Sequence, residues 1–220
     1  MNRISINHEL QQLNQALITL GGMAENSIEN AVIALRKQDI VLAQKIIDGD
    51  DAIDQQERLV EKKCINLIAR HQPIAIDLRT VSAALKVITD LERIADNSTD
   101  IAEMVIAMAG QPYIKPLIDI PLLADISREM VKEALNAYIE HDKDLAQAVI
   151  ERDDEADLVY KRIVLDLMGL MQQTPTTVRQ GVSLLFIAKC LERVADHAVN
   201  VAEWAIYVAT GKHPHGNELK

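Results

Sequence analysis

Leu91-Glu92-Arg93-Ile94-Ala95-Asp96-Asn97-Ser98-Thr99-Asp100-Ile101-Ala102-Glu103 returns, one hundred positions on, as Leu191-Glu192-Arg193-Val194-Ala195-Asp196-His197-Ala198-Val199-Asn200-Val201-Ala202-Glu203, followed by Trp204. Upstream the echo continues in a slightly different register. Ala31, Ala34, Asp39, Ala43, Gln44, Asp50, Asp51 and Asp54 recur 103 positions later as Ala134, Ala137, Asp142, Ala146, Gln147, Asp153, Asp154 and Asp157. The register changes around Pro73 and Pro175, where a turn absorbs a short deletion. Spaced identities holding one register over this length are the mark of an internal duplication.

Proline sets the element boundaries. Six occur, at 73, 112, 116, 121, 175 and 214, and the runs between them are long and helix-patterned, as the cost of proline inside a helix requires. The pattern predicts three helices per copy. In the first copy they run over about 9–37, 39–71 and 77–109. In the second they run over about 122–141, 142–173 and 175–210, with Asp142 as an N-cap, Thr174-Pro175 opening the last helix and Gly211 closing it. Short turns make neighbours antiparallel. The expectation is an all-α chain of two tandem, similar three-helix bundles: residues 1–110, a linker at 111–121 carrying Pro112, Pro116 and Pro121, and residues 122–220.

Composition narrows the function. A formal charge of −10 repels phosphate backbones and anionic lipid, which argues against nucleic acid and favours a cation or a basic protein patch as partner. Cys64 and Cys190 match no zinc or disulfide framework and fall in apolar helical pattern, where free cysteine is a small buried hydrophobe. No stretch approaches the roughly 20 apolar residues of a membrane span, and residues 1–20 lack a signal-peptide apolar block. A reduced, cytoplasmic home is expected. No Gly-rich phosphate loop, G-x-S-x-G elbow or H-E-x-x-H motif occurs, and no catalytic residue is identified; an enzyme is not expected.

The acids are the informative feature. On the fifth helix, Ala146, Val149, Ile150, Ala156, Ile163, Val164, Leu167, Met168 and Met171 share one face at the helical period, and Asp153 and Asp157 lie within that stripe. Asp50 and Asp54 hold the equivalent place among Ala43, Ile47, Ile65 and Ile68. On the third and sixth helices Glu92 and Asp96, and Glu192 and Asp196, are each four apart and share a face. Counting outward from Pro73 levels Asp54 with Glu92 and Asp50 with Asp96; counting from Pro175 levels Asp157 with Glu192 and Asp153 with Asp196, within one or two residues. Four carboxylates on about one turn of a helix pair repel unless cations neutralise them. An oxygen-only donor set suits a hard or borderline ion, Mg²⁺, Mn²⁺, Ca²⁺ or iron. One carboxylate metal site per copy is therefore the functional reading, against the plain one of a solvated acidic face salt-bridged by Arg93 and Arg193.

Other candidates are weaker. His197 lacks a Glu at i−3, so the Glu-x-x-His of di-iron bundles is missing. His71, His213 and His215 fall at expected helix ends. Arg79 and Arg179 each precede an acidic pair by 13 residues and read as ion-pair formers. Phe186, Trp204 and Tyr207 fall on the more polar side of the last helix, as a docking patch or as a helix contact.

The paired segments Leu91–Glu103 and Leu191–Trp204 resemble the duplicated signature of the PhoU family, accessory proteins of bacterial phosphate-specific transport, and the likeness spans essentially the whole chain. The resemblance implies a negative regulator of the phosphate-starvation response. It would be a cytoplasmic, homodimeric adaptor, peripheral to the inner membrane, between a phosphate ABC transporter ATPase and a sensor histidine kinase. It also implies metal binding through E/D-x-x-x-D motifs, which map onto Asp50/Asp54, Glu92/Asp96, Asp153/Asp157 and Glu192/Asp196. Ala95 and Ala195 stand where many members carry Gly, and Asn97-Ser98-Thr99-Asp100 departs from the usual pattern more than His197-Ala198-Val199-Asn200 does. The competing readings are a carboxylate-bridged metalloprotein and a helical scaffold, both unrelated to phosphate signalling.

Overall fold

The computed structural model describes residues 3–212, and everything described is helix or short connection. Six helices follow in order: α1 (Arg3–Lys37), α2 (Ile40–His71), α3 (Ala75–Ala107), α4 (Asp119–Glu140), α5 (Lys143–Gln173) and α6 (Val178–Thr210).

Their ends follow from local chemistry. The Asp39 carboxylate accepts from the backbone N–H groups of Val41 (3.1 Å) and Leu42 (3.0 Å), capping α2. Its repeat partner Asp142 accepts from Asp144 (2.9 Å) and Leu145 (3.0 Å) and caps α5 in the same way. Both satisfy N–H groups that a helix start leaves orphaned. At the other ends, Gln72 (φ 45°), His141 (φ 56°) and Gly211 (φ 77°) take the left-handed conformation that closes a helix. Thr174 does not act as the N-cap that the sequence suggests. A 3₁₀ turn, Pro175–Thr177, precedes α6 and makes no side-chain cap; the Thr177 N–H instead bonds the Thr174 carbonyl at 2.9 Å. The proline-rich connection runs over 108–118, three residues earlier than the expected 111–121, because α3 ends at Ala107 and α4 begins at Asp119 and takes Pro121 into its first turn, where the missing N–H costs no helical bond.

Each copy forms an antiparallel three-helix bundle. The central helices α3 and α6 pack on each other as extensively as each packs within its own bundle, and α1 also meets α4. One continuous apolar core, including Leu17, Leu20, Leu91, Ile94, Leu191 and Val194, runs through both copies. Inside it Ser127 Oγ donates to the carbonyls of Leu123 (2.8 Å) and Leu191 (2.9 Å), while the buried Asn97 Oδ1 has no hydrogen-bond partner. Cys64 and Cys190 are buried free thiols, pushed up to about 12 by desolvation.

The outer helices bury a narrow seam. In α2 it is Ile46, Ile53, Val60 and Leu67, spaced by seven. In α5 it is Val149, Ala156 and Ile163, the same positions 103 residues on. This heptad seam is that of a helix gripped by two neighbours. It excludes Ile65 (54% exposed) and Met168 (56% exposed), two repeat-equivalent residues that the wider 3.6-residue stripe would have buried.

The connection between copies is pinned. Gln180 accepts from the Ile114 N–H at 2.7 Å and donates to the Pro112 carbonyl at 3.2 Å. Gln38 Nε2 donates to the Gln111 carbonyl at 2.6 Å, Tyr113 donates its hydroxyl proton to the Leu35 carbonyl, and Lys115 pairs with Asp166. No helix among the described residues is long and apolar enough to cross a membrane.

Candidate functional site

The α2–α3 and α5–α6 hairpins gather the acids into two clusters, setting Asp50 in the field of Asp96, Glu92 in that of Asp54 and Asp153 in that of Asp196, three of the four pairs that counting from the prolines predicts. In the second copy Asp153 is the focus. Desolvation, then the facing Asp196, then Asp157, Glu192 and Asp154 push its carboxyl up to about 6. In the first copy burial raises Asp50, the Thr99 hydroxyl at 3.2 Å lowers it, and Asp96, Asp54 and Asp51 raise it again. Glu92 is raised by burial and by Asp96, with Glu57 and Asp54 adding to the field. Like charges therefore face each other across both helix pairs, and Asp50, Glu92 and Asp153, which are also desolvated, resist ionisation accordingly.

The two clusters are neutralised differently. In the first, Arg93 lies 3.4 Å from Glu92 and 3.0 Å from Asp96, and Arg58 lies 3.4 Å from Asp54. In the second, Lys161 sits 2.8 Å from Asp157, and Lys189 pairs with Glu192. Arg193, the repeat partner of Arg93, lines together with it a cleft of about 310 Å³ shared with Asp50, Asp96, Asn97 and Asp100. There it works against the burial that raises Asp100. With the lysines and arginines seated on the acids, no three His, Cys, Asp or Glu side chains among the described residues converge tightly enough to hold an ion. The donor set remains all-oxygen, half-buried and short of positive charge at Asp153, which is the chemistry a hard divalent ion meets in carboxylate sites.

The sequence reading missed four participants. In the first cluster Glu57 enlarges the field and Arg58 pairs with Asp54, and Lys161 and Lys189 serve the second. The signal was present in the i, i+4 spacing of Asp157 and Lys161 and the i, i+3 spacing of Lys189 and Glu192.

The secondary candidates resolve as structure. Arg79 Nε donates to the Val208 carbonyl at 3.1 Å and so ties α3 of one copy to the end of α6 in the other, whereas Arg179 is exposed. His71 is held by Glu9 at 3.0 Å; His213 and His215 lie outside the described residues. His197 Nδ1 meets Asp90 at 2.9 Å, and Asn200 donates to the same carboxylate at 3.1 Å. Trp204 and Tyr207 are half-buried and meet edge-on at 5.7 Å, while Phe186 remains 43% exposed.

Comparison with known proteins places this geometry. The sequence profile of the PhoU domain matches twice, over residues 17–105 and 120–205. The chain is 39% identical over 213 residues to the phosphate-specific transport system accessory protein PhoU homolog of Clostridium acetobutylicum, covering 96% of this chain and 97% of that one. It is 32% identical over 216 residues to the Escherichia coli K12 accessory protein PhoU, covering 97% and 90%. The crystal structure of PhoU from Pseudomonas aeruginosa superposes with a TM-score of 0.89 at 33% identity, covering 94% of this chain and 99% of that one. That of the phosphate transport system regulatory protein PhoU from Streptococcus pneumoniae gives 0.88 at 28% identity, covering 94% and 98%. Two matched domains, full-length relatives and a shared six-helix arrangement agree: this chain belongs to the PhoU family.

Proposed function

We propose that this chain is a negative regulator of the phosphate-starvation response. It works as a cytoplasmic, non-enzymatic adaptor between a phosphate ABC transporter and its sensor histidine kinase. The observation that carries this reading is the near-complete, two-domain likeness to proteins named as accessory or regulatory components of phosphate transport. Helices without a membrane-crossing segment and a net charge of −10 suit a protein that docks on protein partners rather than on lipid or nucleic acid.

The acid clusters are, in this reading, divalent-metal or iron sites. Asp50, Asp54, Glu92 and Asp96 would hold one ion and Asp153, Asp157, Glu192 and Asp196 another. A bound cation would supply neutralising charge and a bond between adjacent helices. What supports this is the level placement of the acids in both hairpins and the raised Asp153 and Asp50 carboxyls. The plain alternative, an acidic face kept soluble by its own lysines and arginines, draws on the ion pairs at Asp54, Asp157 and Glu192.

The deciding experiment measures alkaline phosphatase in cells lacking the chain and grown in abundant phosphate. High activity, returned to the repressed level by the intact gene, supports the regulator. Repressed activity in the deletion strain argues against it. Replacing Asp153, Asp157, Glu192 and Asp196 with Ala then separates the readings of the acids: full repression and unchanged metal content by elemental analysis favour the plain acidic face.

A further inference from the structure

We propose that the outward groove between α5 and α6 is a docking surface for a basic amphipathic helix of a partner protein, its apolar face seated on Leu165, Met168, Val182 and Phe186 and its basic end on the acids beyond them. The proposal rests on the adaptor reading above and names the surface and the chemistry of what binds there. The duplication supplies an internal control for the apolar half. Leu158, Leu165 and Met168 on α5 and Val182 and Phe186 on α6 are all exposed. Their repeat counterparts, Gln55, Lys62, Ile65, Ser82 and Lys86, hold the same places in the first copy, and all but Ile65 are polar. The fold therefore needs no apolar residue at these positions. Single exposed apolar side chains are ordinary, but a set gathered on one hairpin and largely polar in its twin marks an interaction face. The tip of the hairpin draws the set together: a Cβ on Gly181 would come within 2.7 Å of Met171 Sδ, so α5 and α6 touch there. Running antiparallel from that contact, the helices bring Met168 level with Leu184, between Val182 and Phe186, with Leu165 about one turn further along α5.

Charge orders the rest of the groove. Val182, Phe186 and Lys189 follow one another at four- and three-residue spacing on one face of α6. Lys189 Nζ lies 5.7 Å from the centre of the Tyr160 ring on α5, so its stem crosses the groove. Beyond it Asp153 lies in the field of Asp196, Asp157, Glu192 and Asp154, and among the described residues only Lys161 and Lys189 pair with these acids. The groove thus runs from apolar to acidic. From Val182 to Asp196 it spans about 21 Å at the helical rise, the length of a four-turn helix. A helix laid along it would seat anchors at i, i+3 and i+4 on the apolar half and set Lys or Arg against the acids. The order of charge selects against a second copy, whose own hairpin, laid along this one in either direction, offers these acids further acids or apolar residues. It also selects against anionic lipid, which a chain of net charge −10 repels.

The test titrates the full-length chain with a fluorescent helical peptide of about 14 residues, Leu along one face and Lys at one end, and with a twin carrying Glu for Lys. Anisotropy should show binding of the Lys peptide and not of the Glu twin. Leu165→Gln/Val182→Ser/Phe186→Gln keeps the net charge and, being at exposed sites, should leave the melting curve unchanged. It should weaken the Lys peptide by about ten-fold or more, the cost of removing one buried apolar anchor. Phe186→Gln alone should weaken it in the same direction, and Ile65→Gln in the first copy should leave it unchanged. Equal binding of the two peptides, or wild-type affinity in the triple variant, overturns the proposal. In cells grown in abundant phosphate, the triple variant at wild-type abundance should raise alkaline phosphatase towards the level of the deletion strain. Full repression by the triple variant overturns the docking surface and leaves the adaptor reading standing, whereas a deletion strain that stays repressed overturns the adaptor reading itself. Sedimentation equilibrium covers the other occupant. Self-association that the triple variant loses while its peptide affinity is unchanged makes the groove a contact between copies and overturns the proposal.

Discussion

Asp153 concentrates the electrostatic cost of the second hairpin, and its titration makes that cost measurable. An unfolded aspartate releases its proton near pH 4, whereas the folded one holds it to about 6. Between those values the folded protein binds a proton that the unfolded chain does not, so stability falls as pH rises from about 4 to 6 and stays lowered above it. In EDTA, Asp153→Asn should therefore be more stable than wild type at pH 7.5 by about 1 kcal/mol, after allowing for solvent screening at this half-exposed site. That is a rise in Tm of about 2–4 °C for a chain of this size, and it should vanish at pH 4. Equal melting curves at pH 7.5 would refute the assignment. The pairing of Asp153 with Asp196 could be counted directly from Pro175, because helical rise is constant and the turn is tight. The lysines could not be counted that way, since an exposed i, i+4 pair reads in sequence as ordinary surface whether or not it serves a site.

At the scale of the element, neighbouring glycines in α1 test how the helices touch. A Cβ on Gly21 would come within 2.2 Å of Leu135 Cδ2 on α4, in the core, while one on Gly22 would meet nothing within 4 Å. Gly21→Ala should therefore destabilise by about 1–2 kcal/mol, overpacking outweighing the gain in helix propensity. Gly22→Ala should stabilise by about 0.5–1 kcal/mol, since it brings propensity alone. Urea melts of both variants check the pair, and effects of the same sign would contradict the α1–α4 approach. Helix existence and the capping aspartates at 39 and 142 were legible because both are local chemistry. The exposure of Ile65 and Met168 was not. A 3.6-residue stripe assumes a helix lying on a broad core, and α2 and α5 are instead held along a heptad seam between two neighbours, a fact of packing that a lone helix does not encode.

Across the molecule, the duplication that announces two units in the sequence folds around one core. Residues 1–110 and 122–220 read as separable because each has three helices and a proline-rich connection stands between them. Yet α3 and α6 pack on each other about as extensively as on a helix of their own copy, and one apolar core runs through both copies; a repeat that shares its core in this way needs its neighbour. Either half expressed alone should accordingly show helical circular dichroism without dispersed amide resonances, and mixing the two should restore the native spectrum. A well-dispersed spectrum from one half would refute this. The full chain should unfold in a single transition by calorimetry. The shared seam also has a mechanical meaning. Glu92 and Asp96 ride on α3, Glu192 and Asp196 on α6, and no loop lies between those helices to take up slack. They form a common axle: a change in the splay of one hairpin turns the shaft on which the other hairpin's acids are mounted.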